Sequence, residues 1–151
     1  MIIKTNSVKE TEKVAKNFVE EITRAERARR NNQNALIVGL YGELGSGKTT
    51  FVKGIAKVFG LEKTITSPTF VIEKIYKLKN QVFDNLIHID AYRLKNEKEL
   101  LNLGWREISK NPKNIIFIEW PENVNDILPS DTKNIKFRFV DKNVREITFL
   151  N

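Results

Sequence analysis

The chain has 151 residues, enough for one domain with a sizeable core, and a net charge of +7. It contains no cysteine, which excludes disulfide bonds and thiolate metal sites and fits a reducing cytoplasm. No apolar run reaches the roughly 18 residues that cross a bilayer, and the N-terminus lacks the apolar core of a secretory signal. We therefore expect a single cytoplasmic domain over residues 1–151, with no membrane contact and no disulfide partner.

A capping box opens the first predicted helix, with Ser7 at the N-cap and Glu10 three residues later. Apolar residues then recur at helical spacing and are expected to face the core: Val14, Phe18 and Ile22. The arginine-rich end of this helix, residues 24–30, is either a solvated face or a contact for RNA or an acidic partner. The net positive charge of the chain also has two interpretations. It either reflects composition, because lysine is abundant throughout, or it marks a functional basic surface.

The most specific pattern is Gly-Glu-Leu-Gly-Ser-Gly-Lys-Thr at residues 42–49, which matches G-x-x-x-x-G-K-[ST]. It follows an apolar run at residues 35–41 that predicts a strand buried on both faces. It precedes a helical pattern that Gly60 is well placed to end. The alternative is a chance match in an ordinary turn, which does not explain a position between a buried strand and an amphipathic helix.

Each residue type in this loop has a chemical purpose. Glycines permit backbone conformations that bring amides close to an anion, and the following helix adds its positive end. Lys48 offers a positive charge to the β- and γ-phosphates, and the Thr49 hydroxyl is a hard oxygen ligand for Mg²⁺. We therefore expect these residues to bind a nucleoside triphosphate: Gly42, Glu43, Leu44, Gly45, Ser46, Gly47, Lys48, Thr49 and Thr50.

The remaining elements predict an α/β fold with three layers, like that of P-loop NTPases, around a mixed and partly antiparallel central sheet. Residues 71–78 and 82–90 favour a locally antiparallel pair of strands, and residues 115–119 a second buried strand. Short helical segments are expected at residues 98–103 and 124–128. Two alternating segments, residues 135–140 and 144–150, predict a terminal hairpin at the edge of the sheet.

Two acidic residues, Asp90 and Glu119, end apolar strands, which is where ligands bind in open α/β sheets. Either could orient Mg²⁺ while the other positions the attacking water, and the alternative is a surface acid after a strand. His88 lies within its strand and is expected to be a packed core residue. Arg93 is a candidate arginine finger, with ordinary ion pairing as the alternative.

Residues 66–69, Thr-Ser-Pro-Thr, lie between the loop helix and Asp90, where GTPases keep a segment ordered by the γ-phosphate. Ser67 or Thr69 is therefore a candidate phosphate sensor, and a plain hydroxyl-rich turn is the alternative. The sequence has no Asn-Lys-x-Asp guanine-reading motif, which makes ATP the expected nucleotide. Trp120 directly follows Glu119 and is expected to cover the site or meet a partner.

Four motifs together resemble one family, the small bacterial ATPase of tRNA threonylcarbamoyladenosine biosynthesis (TsaE). They are the loop at residues 42–51, Ser-Pro-Thr-Phe at 67–70, His-Ile-Asp-Ala-Tyr-Arg-Leu at 88–94 and Ile-Glu-Trp-Pro-Glu at 118–122. The resemblance implies an Mg²⁺-dependent ATPase that works in a complex with two related threonylcarbamoyl-transfer proteins. The tRNA would be reached indirectly, through those partners.

The resemblance also implies roles for single residues. Lys48 would hold phosphate, Thr49 would ligate Mg²⁺ with Glu119 and Asp90 near the metal, and Thr69 would be a switch hydroxyl. The remaining positions are assigned by the same resemblance: Ser7 and Thr11 near the adenine, Trp120 at the site or partner surface, and Arg145 at the nucleotide.

Two other functions stay open from the sequence. One is a small-molecule P-loop kinase. Such kinases usually carry an arginine-bearing lid, and Arg93 alone does not indicate one. A nucleotide-gated binding module would hold the nucleotide with negligible turnover.

Overall fold

The computed structural model of the chain describes residues 1–29, 31–61 and 72–150. Within them, the strands are β1 Ile2–Thr5, β2 Leu36–Tyr41, β3 Glu73–Lys77, β4 Asn85–Asp90, β5 Asn114–Glu119, β6 Lys133–Phe139 and β7 Arg145–Leu150. The helices are α1 Val8–Ala28, α2 Lys48–Val58, α3 Glu97–Leu101 and α4 Trp105–Ser109, with a 3₁₀ segment at Pro121–Ile127. The predicted sensor, Ser67 or Thr69, lies outside the described residues.

The described strands form one mixed sheet in the order β1-β7-β6-β2-β5-β4-β3. The four central strands are parallel: β2 pairs with β5 and β6, and β5 pairs with β4. Both ends of the sheet are antiparallel, through β3 with β4, β6 with β7 and β1 with β7. The predicted mixed α/β fold is therefore confirmed, including the antiparallel pair before Asp90.

The central strands are buried on both faces, as their apolar sequences predict. Alternate residues of each strand point to opposite faces. On β5, Phe117 packs into the core under α1 and α2, whereas Ile116 packs into the core under α3, α4 and the 3₁₀ segment. Helices cover both faces of the sheet, so the sheet is the middle one of three layers.

The first helix begins where the capping box predicts. The Glu10 amide donates to the Ser7 hydroxyl at 3.1 Å, and the Glu10 carboxylate accepts the Asn6 amide at 2.6 Å. The first bond satisfies a donor that a helix start leaves unpaired, and the second holds the residue before the N-cap against the first turn. The predicted core positions are all buried: Val14, Phe18 and Ile22.

Helices α1 and α2 touch almost backbone to backbone at Gly54. A Cβ placed on Gly54 would lie 2.9 Å from the Ala15 Cβ and 3.2 Å from the Glu12 Cα. Any side chain there would push the two helices apart. Glycine inside a helix costs about 1 kcal/mol relative to alanine, and here it permits the close contact.

The predicted terminal hairpin forms, but its place in the sheet was wrong. Strands β6 and β7 pair antiparallel, yet β6 also pairs with β2, and β1 lies outside β7 as the edge strand. Strand β1 was not predicted, because Ile2–Thr5 is a short segment whose partner, β7, lies at the far end of the sequence. Among the described residues, no helix is both long enough and apolar enough to cross a membrane.

The short helical segments also differ from their predicted bounds. The segment expected at residues 98–103 becomes α3, and a separate helix α4 follows Gly104, which adopts a φ of 80°. The turn expected at residues 124–128 begins earlier, at Pro121, because proline fits the first position of a helix.

Candidate active site

The loop between β2 and α2 turns through three glycines with positive φ: Gly42 at 146°, Gly45 at 77° and Gly47 at 108°. Gly42 also has no room for a side chain, because a Cβ there would lie 2.6 Å from the Phe137 carbonyl oxygen. Around Gly45, in contrast, a Cβ would have no neighbour within 4 Å. The loop therefore depends on glycine at residue 42 for both conformation and space, and at residue 45 for conformation alone.

These two glycines make a matched pair of variants. Gly42→Ala is expected to destabilise the protein by about 3 kcal/mol, since it combines a glycine-only φ with a steric clash against backbone. Gly45→Ala is expected to cost about 1 kcal/mol, for the positive φ alone. Thermal and urea unfolding of both variants measure the difference, and equal losses would contradict the structure of the loop.

Lys48 begins α2 and is buried, with its side chain turned back over the loop. Its ammonium donates to the carbonyl oxygens of Gly42 and, at 3.0 Å, Glu43. It also lies 4.5 Å from the centre of the Trp120 ring, within the range of a cation–π contact. The loop carbonyls and the indole thus hold the cation at the mouth of the glycine-rich loop.

Burial lowers the pKa of the Lys48 ammonium, because the charged form loses hydration. Four carboxylates oppose this shift by their charge, with the largest effect first: Glu119, Glu122, Asp90 and Glu43. The Lys48 ammonium therefore lies among carboxylates, whose negative charge favours its protonated form.

The two predicted strand-end acids lie side by side. Strands β4 and β5 are parallel, and Asp90 pairs with Glu119 at their carboxyl ends. The Thr49 hydroxyl donates to Glu119 Oε1 at 3.3 Å, which joins the acid to the start of α2. A cleft of about 370 Å³ is lined by the loop, by Lys48 and Thr49, and by both acids. The structure thus brings the predicted phosphate-binding and acidic residues together.

Asp90 and Glu119 have different surroundings. Burial raises the pKa of Asp90, and the charge of Glu119 raises it further, whereas the Tyr92 amide lowers it by donating to Asp90 Oδ1 at 3.0 Å. Glu119 is 4% exposed, and its Oε2 lies 2.7 Å from His88 Nε2. His88 is the buried core residue that the sequence predicts, but its contact with Glu119 was not predicted.

Trp120 lies over the cleft in an uncommon conformation for a non-glycine residue, with a φ of 58°. Its ring centre is 4.9 Å from that of Tyr92, which is half exposed at 50%. The expectation that Trp120 covers the site agrees with this geometry. Sequence reasoning missed Tyr92, although it lies two residues after Asp90.

A second, smaller pocket of about 110 Å³ adjoins the loop. The residues that the family resemblance assigns near the adenine, Ser7 and Thr11, line it together with Arg145, which the resemblance assigns to the nucleotide, and with Gly47 and Thr50. Arg145 Nε donates to the Gly45 carbonyl at 3.1 Å, which ties the hairpin to the loop. Sequence reasoning missed Lys142 and Asn143 of the β6–β7 turn, which line the same pocket.

The residues of the cleft fit a triphosphate and Mg²⁺. Ser46 Oγ is buried and has no hydrogen-bond partner in the described part of the chain. Thr49, Asp90 and Glu119 offer hard oxygen atoms, which suit Mg²⁺. Within residues 1–29, 31–61 and 72–150, no three His, Cys, Asp or Glu side chains converge as a metal site. Mg²⁺ usually takes only one or two carboxylates, with phosphate and water completing its shell.

Comparison with known proteins identifies the family of this chain. The family model described as "Threonylcarbamoyl adenosine biosynthesis protein TsaE" matches residues 5–147. The "tRNA threonylcarbamoyladenosine biosynthesis protein TsaE" of Rickettsia typhi is 38% identical over 141 residues, 93% of this chain and 88% of that protein. The Bacillus subtilis protein of the same name is 36% identical over 113 residues, 75% of this chain and 68% of that protein.

A solved structure is similar over almost the whole chain. The crystal structure of Bacillus subtilis YdiB aligns with a TM-score of 0.70 and 29% identity, covering 99% of this chain and 83% of that one. The loop, the parallel strands and the flanking helices described above lie within the matched region. The chain belongs to the TsaE family.

Proposed function

We propose that this chain is an Mg²⁺-dependent ATPase that serves tRNA threonylcarbamoyladenosine biosynthesis. The observation that carries the catalytic half is the convergence of Lys48, Thr49, Asp90 and Glu119 in one cleft at the carboxyl ends of parallel strands. The pathway half is supported by the family and by the names of the relatives.

The phosphate end of the nucleotide binds the loop. Backbone amides of residues 42–47 and the N-terminus of α2 face the phosphates, and Lys48 adds its charge to the β- and γ-phosphates. Thr49 and Glu119, which contact each other, hold the metal side. Mg²⁺ held there would supply positive charge to the phosphate oxygens.

Asp90 positions the attacking water. Its pKa is raised by burial, and a carboxylate with a raised pKa is a better hydrogen-bond acceptor and base. One of its oxygens accepts the Tyr92 amide, and the residue lines the cleft. Trp120 covers Lys48, whose ammonium lies 4.5 Å from the ring centre, and lines the cleft. Thr69 as the γ-phosphate sensor stays a prediction from the sequence.

The base end of the nucleotide lies in the smaller pocket, against the start of α1 and the β6–β7 turn. Ser7 and Thr11 line that pocket, but both hydroxyl groups already have partners within the chain. The Ser7 oxygen caps α1, and the Thr11 hydroxyl contacts Thr5 Oγ1 at 2.9 Å and donates to the Ser7 carbonyl at 3.3 Å. Arg145 holds the turn against the loop. In the cell the partners are the two related threonylcarbamoyl-transfer proteins, which bring the tRNA, and the complex is cytoplasmic.

The test is phosphate release from ATP by the purified protein, with Mg²⁺ or with excess EDTA, and with or without the two transfer proteins. We expect Mg²⁺-dependent release without any small-molecule acceptor, and faster release when the transfer proteins are added. A kinase would need an acceptor for turnover. A binding module would hold ATP through a single-turnover measurement without cleaving it, and either result would overturn the proposal.

A further inference from the structure

We infer that His88 is a positioning residue for the Glu119 carboxylate: its imidazole holds one carboxylate oxygen so that the other faces Thr49 and the cleft. This inference rests on the proposed function, because it concerns the acid assigned to the metal side. His88 itself contacts neither nucleotide nor metal in this proposal. It acts only through Glu119.

The geometry divides the two oxygens of the carboxylate between two partners. Oε2 lies 2.7 Å from His88 Nε2, and Oε1 accepts the Thr49 hydroxyl at 3.3 Å. Among the described residues, these two are the hydrogen-bond partners of the Glu119 side chain. A carboxylate held at both oxygens has one orientation, so its outer oxygen lies at a fixed place beside the start of α2.

The sheet itself sets this arrangement. His88 pairs with Phe117 in the parallel register of β4 and β5, and Glu119 follows two residues later on the same face of the sheet. The imidazole therefore reaches diagonally across to the carboxylate, beneath α2. Both elements are central strands, which are the most rigid supports that the fold offers.

Burial explains why the contact matters. His88 is 1% exposed and is the single histidine of the chain. A buried polar ring is unfavourable unless it is hydrogen-bonded. If packing were the only requirement, an apolar residue would fill the position as well as histidine does. Without the imidazole, the buried Oε2 would lose its partner, and the carboxylate would turn to find another.

The experiment compares two substitutions of similar length and volume, His88→Gln and His88→Met. The glutamine amide can donate to Glu119 at about the reach of the imidazole Nε2, whereas methionine has no N–H donor. ADP affinity is measured by titration calorimetry in EDTA and in Mg²⁺. Binding of Mn²⁺ to the ADP complex is followed by electron paramagnetic resonance, which reports the metal without any turnover.

We expect the Gln variant to keep the metal affinity of the wild type. The Met variant should lose about 10- to 100-fold in metal affinity, the usual effect of removing a partner that orients a metal ligand. ADP affinity in EDTA should be unchanged in both, since the loop and Lys48 do not touch His88. A Met variant with wild-type metal affinity, or equal losses in both variants, would overturn the inference.

Folding and the proposed function are tested separately. Thermal unfolding checks that both variants fold. If the Met variant does not fold, His88→Asn replaces it. The asparagine side chain is one bond shorter than that of glutamine, so its amide does not reach Glu119, and this variant is expected to show the same loss of metal affinity. In a double-mutant cycle, His88→Met should add nothing to Glu119→Ala, which removes the carboxylate that His88 holds, and additive effects would contradict the positioning role. If wild-type protein binds ADP with no gain from Mg²⁺, the proposed function fails, whatever the His88 variants do.

Discussion

Replacing Lys48 with alanine is expected to abolish measurable ATP turnover and to weaken nucleotide binding. Its ammonium is a buried cation at the mouth of the loop, held by two loop carbonyls and the Trp120 ring. In phosphoryl transfer, positioning and charge stabilisation supply most of the catalysis, and one such donor is worth about 10²–10³ in kcat. Steady-state phosphate release and ATP titration measure the two losses.

The matched control is Lys53→Ala. Lys53 lies on the same helix but is exposed, so its removal changes the net charge equally without reaching the cleft. We expect Lys53→Ala to hydrolyse ATP like the wild type. Wild-type turnover in the Lys48 variant would show that the loop is not the phosphate site and would end the catalytic assignment.

Glu119→Gln is expected to lower turnover by about 10²–10³ while nucleotide binding in EDTA persists. The amide has the shape of the carboxylate and can still bond with Thr49 and His88, so the change removes a charge and little else. That charge is proposed to face Mg²⁺, and it also opposes the fall in the Lys48 pKa that burial causes. When phosphate release is measured against Mg²⁺ concentration, the half-maximal rate should therefore require more Mg²⁺ than in the wild type.

Asp126→Asn provides the control for this variant. Asp126 is an exposed carboxylate of the 3₁₀ segment, and its loss gives the same change in net charge. Its dependence on Mg²⁺ should match that of the wild type. An unchanged Mg²⁺ dependence in Glu119→Gln would remove Glu119 from the metal side and leave Asp90 as the acid to test.

Local patterns in the sequence were enough to predict the central part of the fold. The buried runs of β2 and β5 are apolar on both faces, and the loop motif fixes what lies between β2 and α2. The rule that ligands bind at the carboxyl ends of parallel strands led to Asp90 and Glu119, and the structure brings both to the loop.

The features that the sequence did not predict depend on contacts between distant segments. Strand β1 is recognisable only through its pairing with β7, and the hairpin was therefore placed at the wrong position in the sheet. The His88–Glu119 contact requires the register of β4 against β5, which no local pattern contains. Lys142 lines the smaller pocket from the β6–β7 hairpin, which Arg145 joins to a loop that is 100 residues away in the sequence.

The glycine at the crossing of α1 and α2 has a consequence for the shape of the smaller pocket. Helix α1 starts beside the smaller pocket, and α2 starts at the phosphate loop, so the gap between their beginnings depends on how closely they approach at Gly54. A bulkier residue there would widen that gap without touching any bound nucleotide. Under the proposed function, a change of base preference would therefore have to take this interior helix contact into account, although it lies outside the pocket itself.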